Sequence, residues 1–324
     1  MTRPSVLVTR PDIPPEGLAL LRDRCDVTVW DKPEPVERSF LLENIKGKDA
    51  LFCMVTEKID RELLDAAGPS LKVIGTMSVG HDHIDMAEVK ARGIKVGFTP
   101  DVLTDATAEL VMALLLMTGR RLVEARQQIY NGGWAGCAWS PLWMCGQGLA
   151  GSTAGIVGLG RIGQGVAARL RPFNVSTILY TGRTERPEAA ALGAQFVPFD
   201  ELLARSDFVI VTCALNDDTR GLFNEAAFGK MKSNAVLINA SRGGTVDQEA
   251  LAAALRSGRI QAAGLDVMTP EPLPPTHPLA NMTNCTLTPH VGSATVKSRT
   301  DMATLTARNI LTGLDGAQMP ARLC

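Results

Sequence analysis

The chain makes a glycine-rich turn at Gly158-Leu159-Gly160-Arg161-Ile162-Gly163, directly after the apolar run 153–157 and directly before a helical pattern at 164–170. Gly158 allows a tight turn, Gly160 lets the backbone approach a phosphate, and Gly163 lets the helix pack close to the strand. The first N–H groups of the helix, with the helix dipole behind them, can hold phosphate charge. Such a pattern is a weak indicator alone, but its strand–turn–helix context predicts a dinucleotide site.

The end of the next strand bears on which dinucleotide binds. NAD-binding units usually carry Asp or Glu there for the ribose 2′-OH, whereas this chain reads Gly182-Arg183-Thr184-Glu185-Arg186. Arginine and hydroxyl groups suit a 2′-phosphate, so Arg183, Thr184 and Arg186 predict a preference for NADP(H). These arginines could instead be solvated loop charges or stack on adenine, and Glu185 leaves NAD(H) use open.

The rest of the chain alternates short β-branched runs with helical patterns, the rhythm of parallel α/β sheets. Helices are predicted at 15–24, 60–67, 104–120 and 293–314, in addition to the one after the glycine turn. Strands are predicted at 5–9, 26–30, 50–55, 73–76 and 95–97, and then at 153–157, 177–181, 208–212, 235–239, 263–267 and 287–289. The fold class is therefore α/β, with two doubly wound, Rossmann-like domains.

Composition narrows the functional class. Of 324 residues, 45% are hydrophobic and 21% charged, which argues against disorder, and a net charge of -1 argues against nucleic acid or an anionic membrane as partner. The seven cysteines are dispersed without metal-ligand spacing, so we expect reduced thiols and no metal. We find no apolar stretch suited to a signal peptide at the start, and the apolar run 110–117 is too short to cross a bilayer. We expect a soluble, cytoplasmic protein.

Polar side chains follow three strands of the second domain, where open α/β sheets bind ligands. Arg242 follows the strand at 235–239, Glu271 lies in a proline-rich loop, and His290 follows the last strand. Each has an ordinary explanation: a salt-bridge partner, a loop carboxylate, and a residue at the start of a helix. As an ordered set behind a dinucleotide turn, in a chain with only four histidines, they favour catalysis.

Six stretches together form a recognisable pattern: 76–80 (TMSVG), 99–105 (TPDVLTD), 158–163 (GLGRIG), 241–243 (SRG), 270–272 (PEP) and 289–293 (PHVGS). The pattern resembles the D-2-hydroxyacid dehydrogenase family, most closely its animal-type glyoxylate/hydroxypyruvate reductases, over nearly the whole length. The resemblance implies a discontinuous substrate-binding domain, 1–103 plus 293–324, and a dinucleotide-binding domain, 104–292. It also implies an active-site cleft between the domains. The segment at 136–138 departs from the family pattern by being slightly longer.

The resemblance implies a role for each matching residue. His290 is the general acid, Glu271 orients it, and Arg242 holds the keto acid. The implied substrate contacts are Val79 and Gly80 (through their backbone), Arg242, Ser293 and Trp139. The implied cofactor contacts are Gly158, Gly160, Arg161, Ile162, Gly163, Arg183, Thr184, Arg186, Ala214, Ala240, Asp266 (beside the nicotinamide) and Gly292.

The chemistry of these side chains agrees with the reduction of a small 2-keto acid. Hydride transfer to a ketone leaves an alkoxide, which must be protonated as it forms, and an imidazolium can deliver that proton. The Glu271 carboxylate favours the charged imidazole, and Arg242 can stabilise developing negative charge. We therefore expect NADPH-dependent reduction of glyoxylate to glycolate and of hydroxypyruvate to D-glycerate.

Three tryptophans, Trp134, Trp139 and Trp143, cluster in the stretch 131–150. They could pack on their own domain, but tryptophan is a favoured interface anchor, so we expect a dimerisation arm and a homodimer.

Two other functions stay open. One is another dehydrogenase of the family, such as a phosphoglycerate or formate type, which the missing acidic residue after 181 and the short C-terminus disfavour. The other is a dinucleotide-sensing corepressor built on the same fold.

Overall fold

The computed structural model describes residues 3–137 and 139–324. The first two residues of the N-terminal stretch, and the last residue of the departing segment 136–138, lie outside the described residues. The strands of the described chain are β1 (Ser5–Val8), β2 (Asp26–Val29), β3 (Ala50–Cys53), β4 (Val73–Thr76), β5 (Lys95–Gly97), β6 (Thr153–Val157), β7 (Thr177–Thr181), β8 (Ala194–Phe196), β9 (Phe208–Val211), β10 (Val236–Asn239), β11 (Ala262–Leu265) and β12 (Cys285–Leu287).

The helices alternate with these strands along most of the chain. They are α1 (Pro15–Arg24), α2 (Arg38–Asn44), α3 (Arg61–Ala67), α4 (Met86–Ala91), α5 (Thr104–Gly119), α6 (Leu122–Tyr130), α7 (Gly133–Cys137), α8 (Arg161–Leu170), α9 (Ala189–Leu192), α10 (Phe199–Arg205), α11 (Glu225–Lys230), α12 (Gln248–Arg256) and α13 (Val296–Leu314). The chain divides into two compact units. The terminal unit comprises residues 3–103 with Ser293–Cys324, and the central unit comprises Thr104–Gly292.

The terminal unit is built on a parallel sheet of five strands in the order β2-β1-β3-β4-β5. The C-terminal helix α13 packs on this sheet at glycines of β4 and of the neighbouring edge strand β5. A Cβ on Gly75 would come within 2.8 Å of Ile310, and one on Gly97 within 2.5 Å of the Asn309 Cβ. The missing side chains therefore let a helix from the far end of the chain lie against the sheet.

The central unit is built on a parallel sheet of seven strands in the order β12-β11-β10-β9-β6-β7-β8. The chain runs outward from β6 to β8 and then returns to run outward on the other side, from β9 to β12. The end of β6 is therefore a topological switch point, where open α/β sheets bind ligands. The long apolar helix α5 lies on one face of this sheet beside α8, with Val111, Leu114 and Leu115 buried in the same core as Ile156 of β6.

The predicted α/β class with two parallel sheets is confirmed, but some boundaries differ. The helix after the glycine turn begins at Arg161 and not at 164, because Gly163 in its first turn hides the helical pattern. The strand expected at 287–289 lies at Cys285–Leu287. The Thr288 hydroxyl donates to Asp266, and Pro289 has no N–H for a ladder.

Short elements account for the remaining differences. Strand β8 has no counterpart among the predicted strands, because only three partly exposed residues form it at the edge of the sheet. The stretch 131–150, which none of the predicted helices and strands covers, contains the short helix α7. Within the described residues, no helix is long and apolar enough to cross a membrane. The seven cysteines, all in the described part of the chain, form no disulfide.

Candidate active site

The glycine-rich turn lies at the switch point of the seven-stranded sheet, between β6 and α8. Gly158 has a φ of 97°, and a Cβ there would come within 2.7 Å of the Cys213 backbone. A Cβ on Gly163 would come within 2.4 Å of the Gly158 carbonyl oxygen. Only glycine at these two positions therefore lets the chain turn this sharply and lets α8 begin so close to the strand.

Gly160 differs from these two glycines, because nothing lies within 4 Å of a Cβ added there. It is the N-cap of the ten-residue helix α8 and has no capping side chain. The first N–H groups of an α-helix have no acceptor within the helix, and the space beside Gly160 is open to a ligand. A dinucleotide pyrophosphate fits this arrangement, because it needs N–H donors, a helix N-terminus and room close to the backbone.

The loop after β7 lies beside the turn, since Gly158 donates its N–H to the Thr181 carbonyl at 2.9 Å. Its far end is fixed by Tyr180, whose buried phenol oxygen accepts the Arg186 N–H at 2.9 Å. The side chains of Arg183 and Arg186 are exposed, and within the described residues neither makes an ion pair or hydrogen bond. An anchored loop thus presents two guanidinium groups to an incoming anion.

Ala214 and Ala240 follow β9 and β10 at the same carboxyl edge of the sheet. The Ala214 carbonyl accepts the Thr219 hydroxyl at 2.7 Å, and the Ala240 N–H donates to the Val211 carbonyl at 3.3 Å. Because each of these side chains is a single methyl group, both leave space at the edge of the sheet beside the glycine turn. Such an edge can accommodate the flat rings of a dinucleotide.

Two of the catalytic candidates meet at this edge. His290 Nδ1 lies 2.8 Å from Glu271 Oε2, with both side chains about one third exposed. The second carboxylate oxygen of Glu271 accepts the Met268 N–H at 2.8 Å, which fixes the carboxylate plane. Since Nδ1 is engaged, the free ring atom of His290 is Nε2, which has no partner among the described residues.

The electrostatics of Glu271 follow from this contact. Burial by itself raises the pKa of the Glu271 carboxyl, but hydrogen bonds from His290 and the Met268 N–H, and the charges of His290 and Arg242, bring it below its usual range. The carboxylate is therefore ionised at neutral pH. An ionised partner at Nδ1 fixes the orientation of the imidazole ring through a strong hydrogen bond.

Arg242 is positioned by buried polar groups at the end of β10. Its carbonyl accepts the Asn239 amide at 3.0 Å and the Thr245 hydroxyl at 2.8 Å, and both side chains are fully buried. The next residue, Gly243, approaches the loop that carries Glu271 so closely that a Cβ there would lie 2.0 Å from the Met268 carbonyl oxygen. Arg242 is close enough to the Glu271 carboxylate for its charge to help lower the pKa of that group.

The backbone of His290 has a φ of 52°, in the left-handed region that few non-glycine residues adopt. The buried Asp266 holds the chain there: its carboxylate accepts the Thr288 hydroxyl at 2.7 Å, the Val291 N–H at 2.9 Å and the Gly292 N–H at 2.8 Å. Burial raises the pKa of Asp266 above its usual value, although these hydrogen bonds oppose the shift. Asp266 thus shapes the loop that presents the histidine.

The other substrate candidates belong elsewhere in the chain. Val79, Gly80 and Ser293 lie in the terminal unit, and all three are partly buried. Among the described residues, no acceptor takes the N–H groups of Val79 or Gly80. Two neighbouring backbone donors without acceptors can bind a carboxylate. Trp139 lies in the central unit, where its side chain is 84% exposed.

Comparison with known proteins places this site in a family. The family model described as D-isomer specific 2-hydroxyacid dehydrogenase, NAD binding domain, matches residues 112–292. The chain belongs to this family. The matched span contains the glycine turn and the three catalytic candidates, Arg242, Glu271 and His290.

Individual known proteins resemble the chain over nearly its whole length. It is 54% identical to the glyoxylate reductase/hydroxypyruvate reductase of Mus musculus, over 98% of this chain and 97% of that protein. A solved structure from Thermus thermophilus matches with a TM-score of 0.90 at 41% identity, over 99% of this chain and 100% of that one. The NADPH-dependent glyoxylate/hydroxypyruvate reductase of Sinorhizobium meliloti, in complex with NADP and malonate, matches with a TM-score of 0.87 at 33% identity, over 100% and 97%.

Sequence reasoning misses two supporting residues of this dehydrogenase. Gln248 clamps the loop before Glu271, because its amide donates to the Thr269 carbonyl at 2.6 Å and accepts the Thr269 N–H at 2.7 Å. Tyr180 supports the loop of the two arginines. Gln248 is 21 residues from its partner and gives no sequence signal. Tyr180 gives one: a phenol inside a buried parallel strand needs a hydrogen-bond partner.

Proposed function

We propose that this protein reduces glyoxylate to glycolate and hydroxypyruvate to D-glycerate with NADPH. The observation that carries the proposal is the His290–Glu271 contact of 2.8 Å at the carboxyl edge that also holds the dinucleotide turn. A pure binding module needs no acid–carboxylate pair there. The names of the mouse and Sinorhizobium meliloti relatives support the choice of keto acids.

The protein's own groups have separate tasks in this reaction. The bound nicotinamide supplies hydride to the keto carbon. Arg242 binds the keto acid and stabilises the negative charge that develops on the carbonyl oxygen. His290 delivers the proton from Nε2, while Glu271 takes the Nδ1–H hydrogen bond and holds the ring in place. Val79 and Gly80 hold the substrate carboxylate through their N–H groups, and Ser293 adds a further substrate contact.

NADP(H) is the preferred cofactor in this proposal, with NAD(H) as a possible substitute. The 2′-phosphate binds at Arg183, Thr184 and Arg186, because the two guanidinium groups have no protein partner to give up. The remaining cofactor contacts come from Gly158 to Gly163, Ala214, Ala240, Asp266 and Gly292. In this proposal the central unit binds the dinucleotide and contributes Arg242 and His290, and the terminal unit contributes the substrate contacts of Val79, Gly80 and Ser293.

A kinetic panel tests both parts of the proposal. Loss of absorbance of the reduced nicotinamide is followed with glyoxylate, hydroxypyruvate and longer 2-keto acids, each with NADPH and with NADH. We expect the highest kcat/KM for the two short acids with NADPH. If no 2-keto acid supports oxidation of either cofactor, the activity is wrong. If NADH serves as well as NADPH, the cofactor assignment is wrong.

The cofactor assignment has a sharper test in Arg183→Asp. Losing one charge-assisted hydrogen bond and adding repulsion costs about 3 kcal/mol, so KM for NADPH rises by about a hundredfold or more while KM for NADH changes little. Lys46→Asp is the matched control, because Lys46 is an exposed residue of the terminal unit and the charge change is the same. Equal effects of the two substitutions on NADPH would remove Arg183 from the cofactor site.

We further propose a cytoplasmic homodimer, formed through the arm at 131–150. The arm and the preceding helix α6 expose large apolar side chains: Ile129 is 61% exposed, Tyr130 68%, Trp134 54%, Trp139 84% and Leu142 85%. Such a surface favours a protein partner, and the unpaired cysteines suit a reducing compartment. Sedimentation equilibrium tests the dimer, and Leu142→Asp should shift it to the monomer if the arm forms the interface.

A further inference from the structure

We propose that a chain of buried hydroxyl groups, running from His83 through Thr76 to Ser78, positions the Val79–Gly80 backbone for the substrate carboxylate. The inference rests on the proposed keto-acid reduction, in which these two residues bind that carboxylate. His83, Thr76 and Ser78 touch no substrate in this scheme. They are positioning residues of the terminal unit.

Each step of this series of side chains lies within hydrogen-bond distance of the next. His83 Nε2 lies 3.1 Å from Thr76 Oγ1, and Thr76 Oγ1 lies 2.7 Å from Ser78 Oγ. Ser78 Oγ then donates to the Gly80 carbonyl at 2.7 Å. Thr76 is fully buried and Ser78 is 5% exposed, so water does not compete for these groups.

The order of donors along the chain follows from its last member. A carbonyl oxygen can only accept, so the single hydroxyl hydrogen of Ser78 points to Gly80. Ser78 must then accept from Thr76, whose own hydrogen is used in that bond. Thr76 therefore accepts from His83, which must carry a hydrogen on Nε2. All three hydrogen bonds of the series therefore donate in the same direction, from His83 toward the Gly80 carbonyl.

Two hydrogen bonds hold the peptide groups on either side of the Val79–Gly80 peptide bond. The Gly80 carbonyl is held by Ser78, and the Ser78 carbonyl accepts the Thr99 N–H at 2.9 Å. A trans peptide places its N–H opposite its carbonyl, so the Val79 N–H points away from Thr99. Without the chain, the flexible Gly80 backbone could turn its carbonyl oxygen toward the bound carboxylate, and the two would repel.

The test is Ser78→Ala, which deletes one hydroxyl and leaves no gap larger than a single atom. Losing one buried hydrogen bond should raise KM for glyoxylate and hydroxypyruvate roughly three- to tenfold. The KM for NADPH and the value of kcat should stay within about twofold. Thr76→Val should act in the same direction, and Thr76→Ser, which keeps the hydroxyl, should restore the wild-type KM.

Thr306→Val is the matched control, since Thr306 is fully buried in α13 of the same unit and donates to the Met302 carbonyl at 2.8 Å. It should leave KM for the keto acids unchanged.

Calorimetric titration of oxalate, an unreactive carboxylate, into the NADP+-loaded protein gives a readout independent of turnover. Its dissociation constant should rise with Ser78→Ala by the same factor as KM. Oxalate binding unchanged in Ser78→Ala, or a loss shared with Thr306→Val, would overturn the inference even if the protein reduces keto acids. An inactive wild-type protein whose oxalate affinity still falls with Ser78→Ala would instead count against the proposed reaction alone.

Discussion

The contact between Glu271 and His290 makes a quantitative prediction for Glu271→Gln. Glutamine has nearly the same shape and can still accept the Nδ1–H through its amide oxygen. The substitution therefore removes the charge and keeps the hydrogen bond to His290, while the amide NH2 replaces the oxygen that accepts the Met268 N–H. It should lower kcat/KM for the keto acid and leave NADPH binding unchanged, because Glu271 is not among the residues assigned to the cofactor.

The size of the effect follows from the geometry. A hydrogen bond to a charged group contributes about 1.5–3 kcal/mol, against about 0.5–1.5 kcal/mol for a neutral one, so removing the charge costs about 1–1.5 kcal/mol at a buried site. Both side chains are 33% exposed, which lets solvent screen the pair. We therefore expect about 1 kcal/mol, a fivefold fall in kcat/KM.

A double-mutant cycle separates this role from a purely local one. His290→Asn removes the acid and suits the left-handed backbone at this position, since asparagine tolerates it better than most residues. It should lower kcat by roughly 10²–10⁴-fold. Adding Glu271→Gln to His290→Asn should then cost nothing further, because the partner is gone. If Glu271→Gln costs the same factor with and without His290, the carboxylate does not act through the histidine, and the reasoning from their contact is refuted.

Three further outcomes follow from single contacts. Gly163→Ala places a Cβ 2.4 Å from the Gly158 carbonyl oxygen, so NADPH affinity should fall at least tenfold in equilibrium fluorescence titration; unchanged affinity would contradict the assigned turn. Tyr180→Phe removes the acceptor of the Arg186 N–H. The KM for NADPH should then rise, so that the ratio of the KM for NADH to the KM for NADPH falls several-fold while the KM for the keto acid does not change. A constant ratio would show that Tyr180 does not support the loop of the two arginines. Trp139→Ala should lower kcat/KM for hydroxypyruvate and relax the rejection of longer keto acids, if the ring closes the substrate pocket; an unaltered substrate profile would exclude that role.

The sequence determines most of the sheet architecture, because buried parallel strands are short apolar runs with clear ends. The strands at Val73–Thr76, Lys95–Gly97, Thr153–Val157 and Thr177–Thr181 lie where they are predicted. Prediction is poorer where the local helix propensity of a residue conflicts with what the tertiary packing requires at that position. Gly163 disfavours a helix by itself, but α8 can begin beside β6 only with a glycine there.

The site is partly predictable for a different reason. The glycine turn reveals itself locally, whereas the pairing of Glu271 with His290 joins residues 19 apart and comes from the family resemblance. Neither spacing nor composition shows that Asp266 holds the His290 loop or that His290 adopts a positive φ. Those features depend on three hydrogen bonds to a carboxylate that only the folded chain brings together.

The close fit of α13 on the five-stranded sheet has a consequence for the order in which the protein is made. The strands of the terminal unit are translated before the central unit, but the helix that covers Gly75 and Gly97 is translated after it. At roughly 5–20 residues per second, synthesis of the central unit takes about 10–40 s, and during that time the apolar face awaiting α13 has no cover from its own chain. The central unit, which is continuous in sequence, can fold while the terminal unit still lacks α13. The terminal unit therefore reaches its native state after the central unit, and nascent chains stalled before Val296 should be the species that chaperones retain.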